Sequence, residues 1–176
     1  MQFIAVSGSL RRASTNTGLL QTVQQVAPGD LRVTVFAGIG DLPHFHPDRA
    51  DEPIAALAAW RSAVRDADAV IFSTPEYAHG LPGVLKNALD WLVGGGEMEH
   101  KPFALFNTTA RGTGAQASLI EVARTMAGRH IESADVTLPL QRSSGDDLFV
   151  LTPEQEETVR AALETLRRAV VAERIL

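Results

Sequence analysis

The chain has 176 residues, of which 45% are apolar and 21% are charged, and its formal net charge is −5. This composition is typical of a globular domain with a buried core. The absence of cysteine excludes disulfides, thiolate catalysis of the kind used by cysteine-dependent phosphatases, and cysteine-based zinc or iron–sulfur sites. An acidic balance without a basic stripe argues against nucleic acid as a partner.

The start of the chain and the length of its apolar runs predict where the protein resides. Met1 leads directly into the apolar residues 3–6, with no basic region and no small-residue cleavage site before them. The apolar runs are all far shorter than the roughly 20 residues that a bilayer span requires. We therefore expect no signal peptide, no membrane association and a cytoplasmic location.

The first predicted strand, residues 2–7, runs into a loop rich in hydroxyl and amide side chains. After this loop, Leu19, Leu20, Val23 and Val26 recur at helical spacing, so the loop joins a buried strand to a helix. Free N–H groups at a helix start, together with the helix dipole, favour a bound anion. The loop matches neither a Walker loop nor G-x-G-x-x-G. Its candidate anion ligands are Ser9, Arg11, Ser14, Thr15 and Asn16.

A second strand is predicted at residues 31–36, followed by a long loop at residues 37–51. His44 and His46 lie in this loop beside two aspartates, which is weak support for metal binding, and we expect no metal site. Asp51 is expected to cap the next helix. The buried face of that helix is expected to carry Ile54, Leu57, Val64 and either Trp60 or the stem of Arg61.

The most informative stretch, residues 69–92, predicts a strand, a rigid turn and a helix. Residues 69–72 form an uninterrupted apolar run, and apolar residues recur at helical spacing from Leu81 to Leu92. The turn between them contains two prolines and two glycines, which restrict or release the backbone at defined positions. Open α/β sheets bind ligands at the carboxyl ends of their strands. The turn places the following residues at that edge: Pro75, Glu76, Tyr77, Ala78, His79 and Gly80.

The second half of the chain continues the alternation of strands and helices. Residues 103–106 predict a fourth strand, residues 107–115 a third polar loop before a helix, residues 131–138 a fifth strand and residues 139–151 an irregular segment. Thr152, Pro153 and Gln155 form a capping box that starts the last helix. Five strands and five helices predict one α/β domain over residues 1–176. The alternation is typical of a doubly wound parallel sheet with helices on both faces.

Two of these loops resemble signatures of the NADPH-dependent FMN reductase family, a flavodoxin-like family that includes quinone, azo-dye and chromate reductases. Residues 8–16 are similar to its GSLR-x-x-S-x-N loop. Residues 75–91 are similar to its PEYN-x-S-x-PG-x-LKNA-x-DW segment. Two positions depart from the pattern, because Ala78 stands where the family usually has Asn and Gly80 where it usually has Ser.

The resemblance implies a flavodoxin-like three-layer sandwich whose five-stranded parallel sheet has the order 2-1-3-4-5. It also implies how a flavin would be held. The first loop would bind the 5′-phosphate of FMN, and residues 75–80 would meet the edge of the flavin ring, with Tyr77 beside the ring or the substrate cleft. The third loop would meet the pyrimidine side through Thr108, Arg111 and Gly112, although it lacks the family's usual double glycine.

The resemblance also implies an activity and an assembly. NADPH or NADH would give hydride to FMN and leave, and a quinone, free flavin, azo or metal-type acceptor would then take two electrons. No side chain is required as a strong acid or base. A homodimer or homotetramer is implied, with the predicted helix at residues 81–93, including Trp91, as a candidate contact surface.

Several alternatives remain open from the sequence. A flavodoxin-type electron carrier would share the fold, although the first loop lacks T-x-T-G-x-T and a charge of −5 is modest for that class. An FMN-free binder of a nucleotide or another phosphate ligand would share the anion loop. His79 is either a proton donor or a rim residue without a role, and Glu76 either serves a second subunit or caps the next helix.

Overall fold

The computed structural model describes residues 1–140 and 149–173, and its centre is a sheet of parallel strands. The strands are β1 (Gln2–Ser7), β2 (Arg32–Phe36), β3 (Ala69–Ser73), β4 (Pro102–Asn107), β5 (Arg129–His130) and β6 (Val136–Thr137). Five of them lie in the order β2-β1-β3-β4-β5, and β6 pairs with β4. The predicted order 2-1-3-4-5 is therefore confirmed.

Helices cover both faces of this sheet. In the described part of the chain they are α1 (Thr15–Val26), α2 (Ala55–Asp66), α3 (Gly83–Asp90), α4 (Thr113–Thr125) and α5 (Pro153–Glu173). Because side chains alternate along a strand, Phe3 and Ala5 of β1 pack with α1 and α5, while Ile4 and Val6 pack with α2, α3 and α4. This arrangement is the predicted three-layer sandwich. None of the described helices is both long and apolar enough to cross a bilayer.

Two tryptophans are buried in the layer that holds α2 and α3. The indole N–H of Trp60 donates to the carbonyl of Ala88 at 2.7 Å, and that of Trp91 donates to the carbonyl of Pro43 at 2.8 Å. Both side chains are fully buried. The prediction that Trp91 lies on a contact surface is therefore wrong, because its ring fills the core beside Phe45, with the two ring centroids 5.1 Å apart.

The predicted fifth strand at residues 131–138 is wrong in its bounds. The structure instead forms β5 and β6, separated by a short 3₁₀ helix at Glu132–Ala134. Asp135 provides the physical reason, because its Oδ1 accepts a hydrogen bond from the amide of Leu105 at 2.8 Å. Its Oδ2 also lies 2.9 Å from Nε2 of His130. The Asp135 carboxylate thus takes the place of a strand carbonyl as the acceptor beside β4. Burial raises the pKa of this carboxyl group.

The helix starts test two predicted caps. The amide of Thr152 donates to Oε1 of Gln155 at 3.0 Å, and the amide of Gln155 donates to Oγ1 of Thr152 at 3.2 Å, so the capping box is confirmed. Asp51 does not cap α2, because the helix begins later and Ile54 occupies the cap position without a side-chain hydrogen bond.

Of the predicted irregular segment at residues 139–151, residues 141–148 lie outside the described residues.

Thr152→Ala should lower the free energy of unfolding by about 0.5–2 kcal/mol, because α5 would lose a hydrogen-bond acceptor at its first turn. Thr158→Ala is the matched control, since the Thr158 hydroxyl donates to the carbonyl of Glu154 at 2.9 Å within the same helix. That control should leave stability unchanged or raise it slightly. Urea unfolding measures both variants, and an equal loss in the two would contradict the role of the capping box.

Candidate ligand site at the carboxyl edge of the sheet

The ends of β1 and β3 approach each other closely and position two of the loops. The amide of Gly8 donates to the carbonyl of Ser73 at 2.8 Å. A Cβ atom on Gly8 would lie only 2.4 Å from Oγ1 of Thr74, so no larger residue fits there without a shift. The buried hydroxyl of Ser73 donates to Oδ1 of Asn16 at 3.0 Å. The two strand ends and the start of α1 therefore form one connected unit.

The loop between β1 and α1 presents main-chain donors. Ser14 is the N-cap of α1, and its Oγ accepts from the amide of Thr17 at 3.3 Å. The Oγ of Ser9 accepts from the amide of Arg11 at 3.2 Å, which closes the loop. Within the described residues, the amides of residues 12, 13, 15 and 16 donate to no protein acceptor. Four free N–H groups at a helix start form a site for an anion.

The predicted ligands of this loop differ in how accessible they are. Arg11 is exposed, Ser9 and Thr15 are half-buried, and Ser14 is buried as the helix cap. Asn16 is also buried, and its Oδ1 is engaged by Ser73, so only its NH₂ group can serve a ligand. Sequence reasoning missed Thr17, whose hydroxyl donates to Oγ of Ser7 at 2.8 Å and ties α1 to β1. Its position in the first helical turn was the available signal.

The second loop carries a tight turn at residues 77–80. The amide of Tyr77 donates to the carbonyl of Gly80 at 3.2 Å, and the amide of Gly80 donates to the carbonyl of Tyr77 at 3.0 Å. The two central residues, Ala78 and His79, have φ angles of 50° and 59°, in the left-handed region. Such a turn favours Asn or Gly at these positions. Within the described residues, the amides of both central residues lack a protein acceptor, and Tyr77 beside them is 56% exposed.

Glu76 connects the second loop to the third. Its Oε2 accepts from the amide of Ala115, in the first turn of α4, at 2.9 Å. Its Oε1 lies 3.4 Å from Nδ1 of His79. The predicted capping of the next helix, α3, is wrong, because Pro82 is the N-cap of α3 and has no side-chain hydrogen bond. Glu76 instead caps α4. Gly114 permits the contact, because a Cβ atom there would lie 2.6 Å from the carbonyl oxygen of His79.

The third loop, after β4, completes the edge. The carbonyl of Thr108 accepts from the amide of Leu140 at 3.3 Å, and Arg111 is exposed. Gly112 has a φ angle of 88° and precedes α4 as its N-cap. The predicted site residues thus lie on three loops that follow β1, β3 and β4. Among the residues that the structure describes, no three potential metal ligands cluster.

Comparison with known proteins agrees with the fold. A family model for NADPH-dependent FMN reductases matches residues 1–142. The chain belongs to this family. The predicted resemblance to this family is therefore confirmed.

Several curated relatives are quinone reductases. The quinone reductase of Escherichia coli K12 is 37% identical over 94 residues, which are 52% of this chain and 50% of that protein. The probable NADPH:quinone oxidoreductase 2 of Oryza sativa is 40% identical over 95 residues, which are 52% of this chain and 47% of that protein. The chain spans about half the length of the curated relatives it matches.

Solved structures of flavoenzymes share the architecture along the whole chain. FerB, a flavoenzyme NAD(P)H:(acceptor) oxidoreductase from Paracoccus denitrificans, superposes with a TM-score of 0.80 at 25% identity, covering 96% of this chain and 98% of that one. The apo form of the NADH:FMN oxidoreductase EMOB has a TM-score of 0.58 at 23% identity, covering 99% and 88%. The second likeness supports the fold alone.

Ala78→Asn should raise the free energy of unfolding by up to about 1 kcal/mol, because Asn tolerates the left-handed region better than Ala. Ala110→Asn is the control, since Ala110 is an exposed loop residue whose φ is not positive. Its effect should stay within about 0.5 kcal/mol. Urea unfolding compares the two variants. A loss of stability in Ala78→Asn, or the same change in both, would contradict the assigned turn strain.

Proposed function

We propose that this chain is an FMN-dependent NAD(P)H oxidoreductase that reduces quinones. The observation that carries the proposal is the first loop, where four free amides, hydroxyls and Arg11 surround a helix start. Family membership favours FMN over other phosphate ligands, and the names of the relatives favour quinones as acceptors. When bound, FMN supplies the two-electron redox chemistry that side chains lack.

The donor set of the first loop suits a phosphate monoester. Hydroxyl and amide donors come from Ser9, Ser14, Thr15 and Asn16, and Arg11 adds a charge-assisted contact. No carboxylate competes from the same segment, since the first acidic residue of the chain is Asp30. The FMN 5′-phosphate would therefore meet donors throughout.

The second and third loops suit the edge of a flavin ring. The free amides of Ala78 and His79 lie on the second loop, and Glu76 fixes that loop against α4. Donors held rigidly near a ring stabilise negative charge that develops on it during reduction. The remaining members of this part of the site are Pro75, Tyr77, Gly80, Thr108, Arg111 and Gly112.

The joined second and third loops also support an order of reaction. Because Glu76 holds them together, they would cover one side of the ring as a single wall and leave one face open. Nicotinamide and acceptor would then use that face in turn, which is a ping-pong mechanism. Free flavin, azo compounds and metal-type oxidants are further acceptor classes of the proposal, and His79 remains either a proton donor or a rim residue.

Arg11→Ala should weaken FMN binding by about 1.5–3 kcal/mol, the range for hydrogen bonds to charged groups. Arg124→Ala is the matched control, because Arg124 is an exposed arginine in the last turn of α4. Its FMN affinity should equal that of the unchanged protein. Fluorescence titration of FMN into apoprotein measures both. An unchanged dissociation constant in Arg11→Ala would show that this side chain does not serve the phosphate.

Initial rates with NADPH and a quinone, each varied against the other, should give parallel double-reciprocal lines. The reason is the single open face, which forbids a complex with both substrates. Intersecting lines would require such a complex and would contradict the mechanism. Absence of NAD(P)H oxidation with any quinone or free flavin would contradict the enzyme itself.

Two measurements separate the proposal from its rivals, namely steady-state NAD(P)H consumption and the colour of the protein after incubation with FMN. A flavodoxin-type electron carrier would bind FMN without sustaining NAD(P)H consumption. An FMN-free phosphate binder would stay colourless after incubation with FMN.

Assembly, location and domain extent complete the proposal. We propose a homodimer or homotetramer in the cytoplasm, with one domain over residues 1–176, on the resemblance to the family. With Trp91 buried, the exposed side chains available to a second copy include Tyr77 and Val93, which are 56% and 55% exposed.

A further inference from the structure

A cavity of about 730 Å³ lies on the outer side of the first loop, between α1 and the edge strand β2. The proposed FMN site overlaps this cavity only along the first loop, which lines both. We name this cavity the β2 groove. Its walls include Leu10, Arg11 and Arg12 from the first loop, Gln21, Gln24 and Gln25 from α1, and Val35 and Phe36 from β2. Ser9, which is assigned to the FMN phosphate, lies on the rim that the two sites share.

The lining of the β2 groove carries two cations and no carboxylate. Arg11 and Arg12 are both exposed. In the described part of the chain, neither guanidinium has a hydrogen-bond or ion-pair partner within the protein. FMN binding as proposed would engage Arg11, whereas Arg12 is left over. The β2 groove therefore offers the Arg12 guanidinium to a second anion beside the flavin phosphate.

The same groove also has a wall suited to a planar base. Leu10 is 61% exposed and rests against Gly40, where a Cβ atom would lie 2.9 Å from its Cδ2. Phe36 is held by Trp60, with the ring centroids 5.0 Å apart. Gln24 is occupied, because its Oε1 accepts from the amide of Val35 at 3.3 Å. Gln21 and Gln25 supply amides beside this apolar surface, which can pair with the edge of a purine.

We propose that the β2 groove binds the adenosine half of NADPH, with Arg12 on the 2′-phosphate. This inference rests on the proposed function. β2 lies two strand positions from β3 and three from β4, a separation of about 10–15 Å at the usual spacing between strands. The ribose–diphosphate–ribose bridge of a dinucleotide spans such a distance. The adenosine thus lies in the groove while the nicotinamide reaches the second and third loops. NADH lacks the phosphate that Arg12 binds, so NADPH is the preferred donor.

Isothermal titration of the FMN-loaded protein with adenosine 2′,5′-bisphosphate and with 5′-AMP tests the groove without turnover. The bisphosphate should bind at least about tenfold more tightly, and Arg12→Gln should abolish the difference. Arg124→Gln removes the same charge from the exposed surface of α4 and should preserve it. Equal affinity for both probes, an unchanged difference in Arg12→Gln, or release of FMN by the bisphosphate would overturn the inference.

Coenzyme kinetics give a second, distinguishable readout. In Arg12→Gln, the ratio of kcat/KM with NADPH to kcat/KM with NADH should fall about tenfold or more. An active enzyme that uses both coenzymes equally well would overturn the groove assignment and leave the proposed function intact. An FMN-loaded protein that oxidises neither coenzyme would instead overturn the proposed function, and the titration would still decide whether the groove binds the bisphosphate.

Discussion

The hydrogen bond between the amide of Gly8 and the carbonyl of Ser73 holds the ends of β1 and β3 together, and the site depends on this contact. It brings the main chain so close to Thr74 that only glycine fits at position 8. Because the two parallel strands end at the same level, the free amides of α1 and those of the turn at residues 77–80 belong to one edge of the sheet. The buried bond from Ser73 to Asn16 then fixes the helix start against β3.

The sequence predicted the central strands well and the edge of the sheet poorly, for a physical reason. β1, β3 and β4 are buried on both faces, so each is an uninterrupted apolar run that composition alone reveals. β5 and β6 have two residues each, and between them the amide of Leu105 in β4 donates to the Asp135 carboxylate instead of to a strand carbonyl. No pattern of hydropathy encodes such a side-chain bond. Trp91 was misplaced for a similar reason, because its carbonyl partner, Pro43, comes from a distant loop.

For the site, residue types were predictable and their partners were not. A hydroxyl-rich turn before a helix indicates an anion site because helix starts always leave N–H groups free. Glu76 was recognised as part of the site, but its acceptor role toward Ala115 joins elements 39 positions apart. Thr17 and Arg12 were passed over, because their importance comes from what the fold places beside them. The tertiary structure thus decides which polar residues lie together, in the phosphate site, in the linked second and third loops and in the β2 groove.

The central claim is that main-chain and hydroxyl donors at the start of α1 bind the phosphate of FMN. Fluorescence titration of the apoprotein with FMN and with riboflavin, which lacks only the phosphate, tests this claim most directly. Several hydrogen bonds to a charged group, at about 1.5–3 kcal/mol each, predict that FMN binds at least about 100-fold more tightly. Riboflavin binding as tightly as FMN would contradict the account, because the first loop would then contribute nothing to holding the cofactor.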